Sequence, residues 1–362
     1  MVITRNNYHG CKHKVLKGKT KKNKKKVIRK VSRKVSGKVS KGMEYEAKKS
    51  VFKKLWKLIK KTQTKPWDMS MISKNPNLTW DIIKANPKIE WVWWAISQNP
   101  NITWDIIKKN QKYPWELDYV ARNPNITPDI INKNKDKQWN FKELSMNPSI
   151  TSKFIRENIN ESWDWGRLSS NPNLTWDIIK ANPKKKWDWS QISDNPNITW
   201  EIINKNPKYK WDWSVLSSTS KITWDIIKNN PKKPWKWLCI SSNPNISLDI
   251  LKKNPKKPWD WTSLAHNSNF TIDTIKKHPE YPWVEYKYLY TLNINVTIDD
   301  IKKHNDIKWD YYDLSSTPNL TIKFINDNMD EDWDFFLLGN YAFKKDYEEE
   351  LKKLKIDLES SM

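Results

Sequence analysis

Tryptophan recurs at positions 67, 91, 115, 139, 163, 187, 211, 235, 259, 283, 309 and 333. The spacing is 24 residues throughout, except for one 26-residue interval from Trp283 to Trp309. Self-similarity at a fixed period is the signature of repeat architecture and outranks every local signal. The repeat reads W-D-W-x-x-L-S-x-N-P-N-I-T-W-D-I-I-K-x-N-P-x-x-x, with about eleven copies over 67–332 and a truncated twelfth from Trp333. Twenty-four residues hold two short helices and their turns.

The second half of the repeat carries a helix-start signal. Thr79, Thr103, Thr127, Thr175, Thr199 and Thr223 occupy the thirteenth place, where a hydroxyl can accept a first-turn backbone N–H. Asp81, Asp105, Asp129, Asp177 and Glu201 follow two residues later, on the side of the helix dipole that favours an acid. The helix runs through paired aliphatics such as Ile202 and Ile203, then stops at Asn206-Pro207, because proline cannot continue it. The first half, "WDWSQIS", supports one or two turns, α or 3₁₀. The fold class expected is therefore an all-α solenoid of short paired helices, right-handed or of undetermined hand. At about 8–10 Å per layer the stack would be on the order of 100 Å long.

"VARNPNITPDIINKN", residues 120–134, resembles the leucine-rich variant repeat, a 24-residue family of alternating α and 3₁₀ helices. The resemblance covers the Asn-Pro-x-x-Thr and paired-aliphatic positions over about 67–332, and implies a superhelical fold but no activity. The Trp- and Asn-Pro-rich version, in a Lys/Asn/Ile-biased chain, is similar to repeat proteins encoded in multiple copies by giant DNA viruses of amoebae.

Both ends read as caps. "LWKLIKKTQTKPW", residues 55–67, aligns with "TWDIIKANPKIEW", residues 79–91, so 44–66 is expected to be a degenerate first unit. Tyr347, Leu351, Leu354 and Leu358 share one helical stripe, which predicts a closing helix over 344–358 within a C-terminal cap of 341–362. The repeats proper then span 67–340.

Charge divides the chain more sharply than composition does. Residues 1–43 hold 16 Lys plus Arg and no acid; residues 1–66 carry net +22 and the remaining 296 residues net +3. The stretch 1–43 cannot bury a core and is expected to be a disordered polybasic arm. Counterion release makes polyanion binding its direct physical consequence, through Lys21, Lys22, Lys24, Lys25, Lys26, Arg29, Lys30, Arg33 and Lys34. A nuclear-import signal, a solubilising tail and an anionic membrane surface are the competing readings. Ser32, Ser36 and Ser40 follow basic residues and would suit a basophilic kinase. "VFKKLWKLIKK", residues 51–61, looks membrane-active alone, but its match to the repeat places its apolar face in the core.

Two cysteines, Cys11 and Cys239, exclude a disulfide framework. No apolar run is long enough to cross a membrane, and the lysine-rich start is not a secretory signal. An intracellular location is expected: cytoplasm or nucleus of a host cell, or a virion.

Of 25 tryptophans, twelve open a repeat, six sit at its third place and five at its fourteenth. The fourteenth place also takes Pro128, Ser152, Leu248 and Ile272, so it is expected to be the most exposed. There Trp176, Trp200 and Trp224 would stack bases, or else pack across the groove between repeats. Lysines gather where the longer helix ends, among them Lys185, Lys205, Lys208, Lys210, Lys232 and Lys233. Equal places line up in a solenoid, so these form a basic edge. Recurrent Asn at the ninth, eleventh and twentieth places reads as a ladder satisfying loop carbonyls. His278 and His304 replace that last Asn in successive repeats, a weak metal signal. No catalytic residue, metal or cofactor is assigned.

The leading expectation is a non-enzymatic scaffold for protein partners, tethered by its arm to nucleic acid or another polyanion. The alternative is that the repeats themselves bind RNA or DNA through Trp and the lysine edge. A minor alternative is an enzyme with its site in the irregular 283–308 repeat. The oligomeric state is not readable.

Overall fold

A computed structural model describes residues 40–283, 296–317 and 320–360, all helix or turn with no strand among them. It divides into a unit of 48–350 and a second comprising 40–47 and 351–360. In the smaller unit, residues 40–47 begin a helix that continues to 61, with Ala47 fully buried. The helix thus starts inside the stretch read as a disordered arm. Residues 351–360 are the end of the helix Lys344–Ser360, where Ile356 and Leu358 are exposed. The stripe proposed for that helix is only partly covered, with Leu351 and Leu354 half-buried.

In the larger unit each repeat that is described in full gives two α-helices of four to six residues, such as Trp189–Asp194 and Trp200–Lys205. The first is α rather than 3₁₀, and in most repeats its second-place residue caps it. Asp188 accepts from the backbone of Ser190 and Gln191, and Asp68, Asp164, Asp212, Asp260, Asp310 and Asp334 cap in the same way. These aspartates act by direct hydrogen bonds beyond the dipole. Thr103, Thr199 and Thr223 cap the second helix as expected. Thr79, Thr127 and Thr175 do not. At Thr79 and Thr175, φ is −109° and −110° instead of the −83° to −90° of the capping three. Their hydroxyls are left buried without a partner.

Three aliphatic columns form the core. Ile192, Ile198 and Ile203, from the sixth, twelfth and seventeenth places, are at most 1% exposed, and their described counterparts along the array are buried too. Each third-place ring meets the opening Trp of the next repeat edge-on. Trp189–Trp211 lie 5.3 Å apart at 90° and Trp213–Trp235 5.1 Å at 83°, the geometry an aromatic quadrupole prefers.

The Asn ladder stitches one repeat to the next. Asn195 Nδ2 donates to the carbonyls of Ser169 (3.1 Å) and Asn171 (2.9 Å), and Asn197 Nδ2 to those of Pro172 (2.7 Å) and Leu174 (2.9 Å). The seventh-place Ser169 hydroxyl accepts the N–H of Asp188 at 3.0 Å. Loop carbonyls buried between layers need such donors, since each one left unmet costs about 1–3 kcal/mol.

The array is not open. Asn75 Nδ2 donates to the carbonyls of Gly339 (2.9 Å) and Tyr341 (3.1 Å), and Asn77 Nδ2 to that of Ala342 (2.6 Å). This is the ordinary ladder, made between the first full repeat and the truncated last one. Phe335 meets Trp67 edge-on at 4.9 Å and 71°, as third-place rings do elsewhere. The expected N-terminal cap and the truncated twelfth copy are complementary halves of one repeat: 333–343 supplies its first helix and 55–66 its second. Trp67 bonds Thr62 through its indole N–H (3.0 Å), Trp56 stacks on Trp91 at 5.6 Å, and Lys65 lies 5.8 Å from the Phe335 ring. Each contact has counterparts inside the array. The expected open stack on the order of 100 Å is therefore corrected: the row of repeats in this unit closes on itself.

Two residues show how the joint was fitted. Gly339 stands where the other described repeats have Ser or Ala, and an added Cβ would lie 3.2 Å from Met71 Cβ. Phe343 has a left-handed φ of 46°, which turns its fully buried ring into the core as the chain leaves the repeat pattern for the last helix.

Candidate polyanion-binding edge

Where the twentieth place is Asn, the second helix of the repeat ends in a clasp. Asn182 Nδ2 donates back to the Ile178 carbonyl at 2.8 Å, while the Asn182 carbonyl accepts the Trp187 indole N–H at 2.9 Å. Asn206 with Trp211 and Asn230 with Trp235 repeat it. The Pro-led turn between is pinned at both ends, so its long side chains project outward beside the helix C-terminus, where the dipole favours cations.

Of the lysines expected on this edge, Lys208, Lys210 and Lys232 are exposed and have no salt-bridge partner among the described residues, as are Lys184 and Lys186. Three others are engaged. Lys205 pairs with Glu201 one turn earlier at 2.6 Å, and its ammonium holds the Glu201 carboxyl below the usual range. Lys185 lies over Trp165 at 4.6 Å, and Lys233 lies 5.9 Å from Trp200 and 5.8 Å from Trp213. These two follow a rule that sequence reasoning missed. Where the third place is tryptophan, the twenty-third covers it with either a lysine or a tyrosine, as where Tyr113 packs on Trp93 (5.0 Å) and Tyr209 on Trp189 (5.1 Å). Cation–π contact and ring stacking do one job at one place. The run Lys185, Tyr209, Lys233, Lys257 and Tyr281 at one place was its visible signal.

Trp176, Trp200 and Trp224 are half-buried, and their counterparts Trp80 and Trp104 are buried. The fourteenth place is thus not the most exposed. Trp176 packs on Trp211 at 5.6 Å, Trp200 on Trp235 at 5.8 Å and Trp224 on Trp259 at 5.8 Å. The clasp fixes the opening Trp where this ring can lean on it, so only an edge reaches solvent.

Lysines gather where two such turns adjoin. A cleft of about 360 Å³ there is lined by Lys185, Lys186, Lys208 and Lys210 with Trp187, Trp189 and Tyr209, and no carboxylate lines it. The chemistry offered is anion binding beside aromatic walls. No protein-family model, curated protein or solved structure matches this chain, so any function rests on its own residues.

The remaining candidates are placed as follows. His278 Nδ1 contacts Glu280 at 2.8 Å, while His304 lies between Lys276 (3.1 Å from Nδ1) and Asp273 (3.1 Å from Nε2). The two histidines hold separate hydrogen-bond contacts, and no group of three metal-ligating residues occurs among the described residues. Lys21, Lys22, Lys24, Lys25, Lys26, Arg29, Lys30, Arg33, Lys34, Ser32 and Ser36 lie outside the described residues, as do 284–295 of the irregular repeat. Ser40 donates to Glu44 at 3.2 Å in the first turn of its helix. Among the described residues no helix is long and apolar enough to cross a membrane.

Proposed function

We propose that this chain is a non-catalytic repeat platform that engages protein partners and is tethered to nucleic acid or another polyanion by its lysine-rich N-terminal segment. The observation that carries this reading is the charge split, net +22 over residues 1–66 against +3 over the rest. The repeated residues support the non-catalytic part, since caps, clasps and ladders account for the recurring Asp, Thr and Asn. The test compares the full chain with one starting at Ser40, which keeps the 40–61 helix whole. Binding to a single-stranded oligonucleotide should fall at least tenfold on truncation, and the salt dependence of the full chain should be the steeper. Equal affinity, or affinity insensitive to salt, would refute the tether.

A second reading has the repeats themselves bind the polyanion, favoured by the carboxylate-free lysine cleft. It predicts that the chain starting at Ser40 retains binding and that Lys186→Glu/Lys208→Glu/Lys210→Glu reduces it at least tenfold. Unchanged residual binding in that triple variant would reject it.

A further inference from the structure

Grooves run between the second helices of neighbouring repeats. The one between Trp104–Lys109 and Pro128–Lys133 has a volume of about 430 Å³, with the fourteenth-place Trp104 on its wall. A much larger one, about 1050 Å³, spans Ile298–Lys303, Ile322–Asp327 and the helix of the composite repeat. Two fourteenth-place residues line it. Where five repeats place a tryptophan that leans into the groove, these two place Ile298 and Ile322. The floor is apolar, made by those isoleucines with Ile301 and Phe324.

Six lysines and four carboxylates line the groove. Lys54, Lys61 and Lys323 are held by Glu350, Asn326 and Asp327. Asp346 is spent on the backbone N–H of Ile322 at 3.1 Å. Lys57, Lys302 and Lys345 have no salt-bridge partner among the described residues.

From this placement we infer that the groove is a docking site for a partner segment bearing an aromatic side chain flanked by carboxylates. The aromatic ring takes the space that a fourteenth-place indole fills elsewhere in the array, and the carboxylates meet Lys57, Lys302 and Lys345. The chain's own N-terminal segment is the wrong occupant: its first 43 residues hold 16 basic residues and no acid. The inference rests on the scaffold reading and supplies the chemistry of its partner.

The test uses the full chain and a fluorescein-labelled twelve-residue peptide of glutamates around one tryptophan, read by anisotropy at physiological salt. Replacing the peptide's tryptophan by alanine should weaken binding at least tenfold. Ile298→Trp/Ile322→Trp fills the space as the other repeats do, and should abolish binding with the melting temperature held or raised. Lys302→Glu/Lys345→Glu should weaken it at least tenfold, and decides the matter if the filled variant does not fold. Equal binding of the tryptophan and alanine peptides, or of the folded variants and wild type, would place the peptide on the basic segment and overturn the inference. Absence of peptide binding also overturns it. Because the tether is measured separately by truncation at Ser40, either result leaves that reading standing.

Discussion

Asn75→Leu is expected to cost as much stability as Asn99→Leu, about 3 kcal/mol or more for each. Both residues are buried and make the same three bonds. Asn99 donates to the carbonyls of Ser73 and Asn75 at 3.1 Å each and accepts from Asn101 N–H at 2.9 Å. Asn75 donates to those of Gly339 and Tyr341 and accepts from Asn77 N–H at 2.9 Å. Leucine fills a similar space but leaves the buried carbonyls unmet, at about 1–3 kcal/mol apiece. In an open solenoid the outer face of the first full repeat meets solvent or a cap, and Asn75→Leu would stay within about 0.5 kcal/mol. Urea midpoints of the two variants therefore report closure directly. An Asn75→Leu chain that unfolds with wild type, while Asn99→Leu falls, would show that the ends are not joined. Gly339→Val probes the same joint by sterics, because even its Cβ would crowd Met71 Cβ at 3.2 Å. It should lower the midpoint without removing any polar group.

Closure was the least legible feature of the fold, for a physical reason. A period reports contacts between neighbouring repeats, since every copy repeats them. The bond from Asn75 to Gly339 spans 264 residues and is made once. The pieces were nevertheless visible: 55–66 matches only the second half of the repeat and 333–343 only the first. Two caps and one divided repeat produce the same alignment, and only geometry separates them. The core was legible because Ile192, Ile198 and Ile203 obey both the repeat period and the burial that stacking demands. The lysine edge was legible as charge but not as partnership. That Lys185 serves Trp165 while Lys186 has no such ring depends on which of adjacent side chains turns inward, and net charge carries no such information.

The joint between the repeats at 187 and 211 should respond to both mutation and pH. There the ninth and eleventh places are Thr219 and Lys221 instead of Asn. Thr219 turns its hydroxyl to Leu216 within its own repeat (3.3 Å), and of these two side chains only that of Lys221 crosses, its Nζ donating to the Asn195 carbonyl at 3.0 Å. Burial presses the Lys221 ammonium down to about 8, with Asp194 opposing the shift. Unfolded, a lysine titrates near ~10.4. Between these values the unfolded chain binds more protons than the folded one, so stability rises with pH across the window from about 8 to ~10.4. Below pH 8 the penalty of holding a charged amine there is present in full. Thr219→Asn/Lys221→Asn restores the amide ladder and removes that charge. It should gain about 2 kcal/mol at pH 7, from several bonds worth about 0.5–1.5 kcal/mol each. Its advantage over wild type should shrink as pH is raised from 7 to 9.5. Thermal melts of both chains at the two pH values separate the contributions. An advantage that does not change with pH would mean that Lys221 titrates as an exposed lysine does. No advantage at pH 7 would mean that this joint draws its strength from the aromatic ladder, where Trp189 and Trp211 still meet edge-on at 5.3 Å.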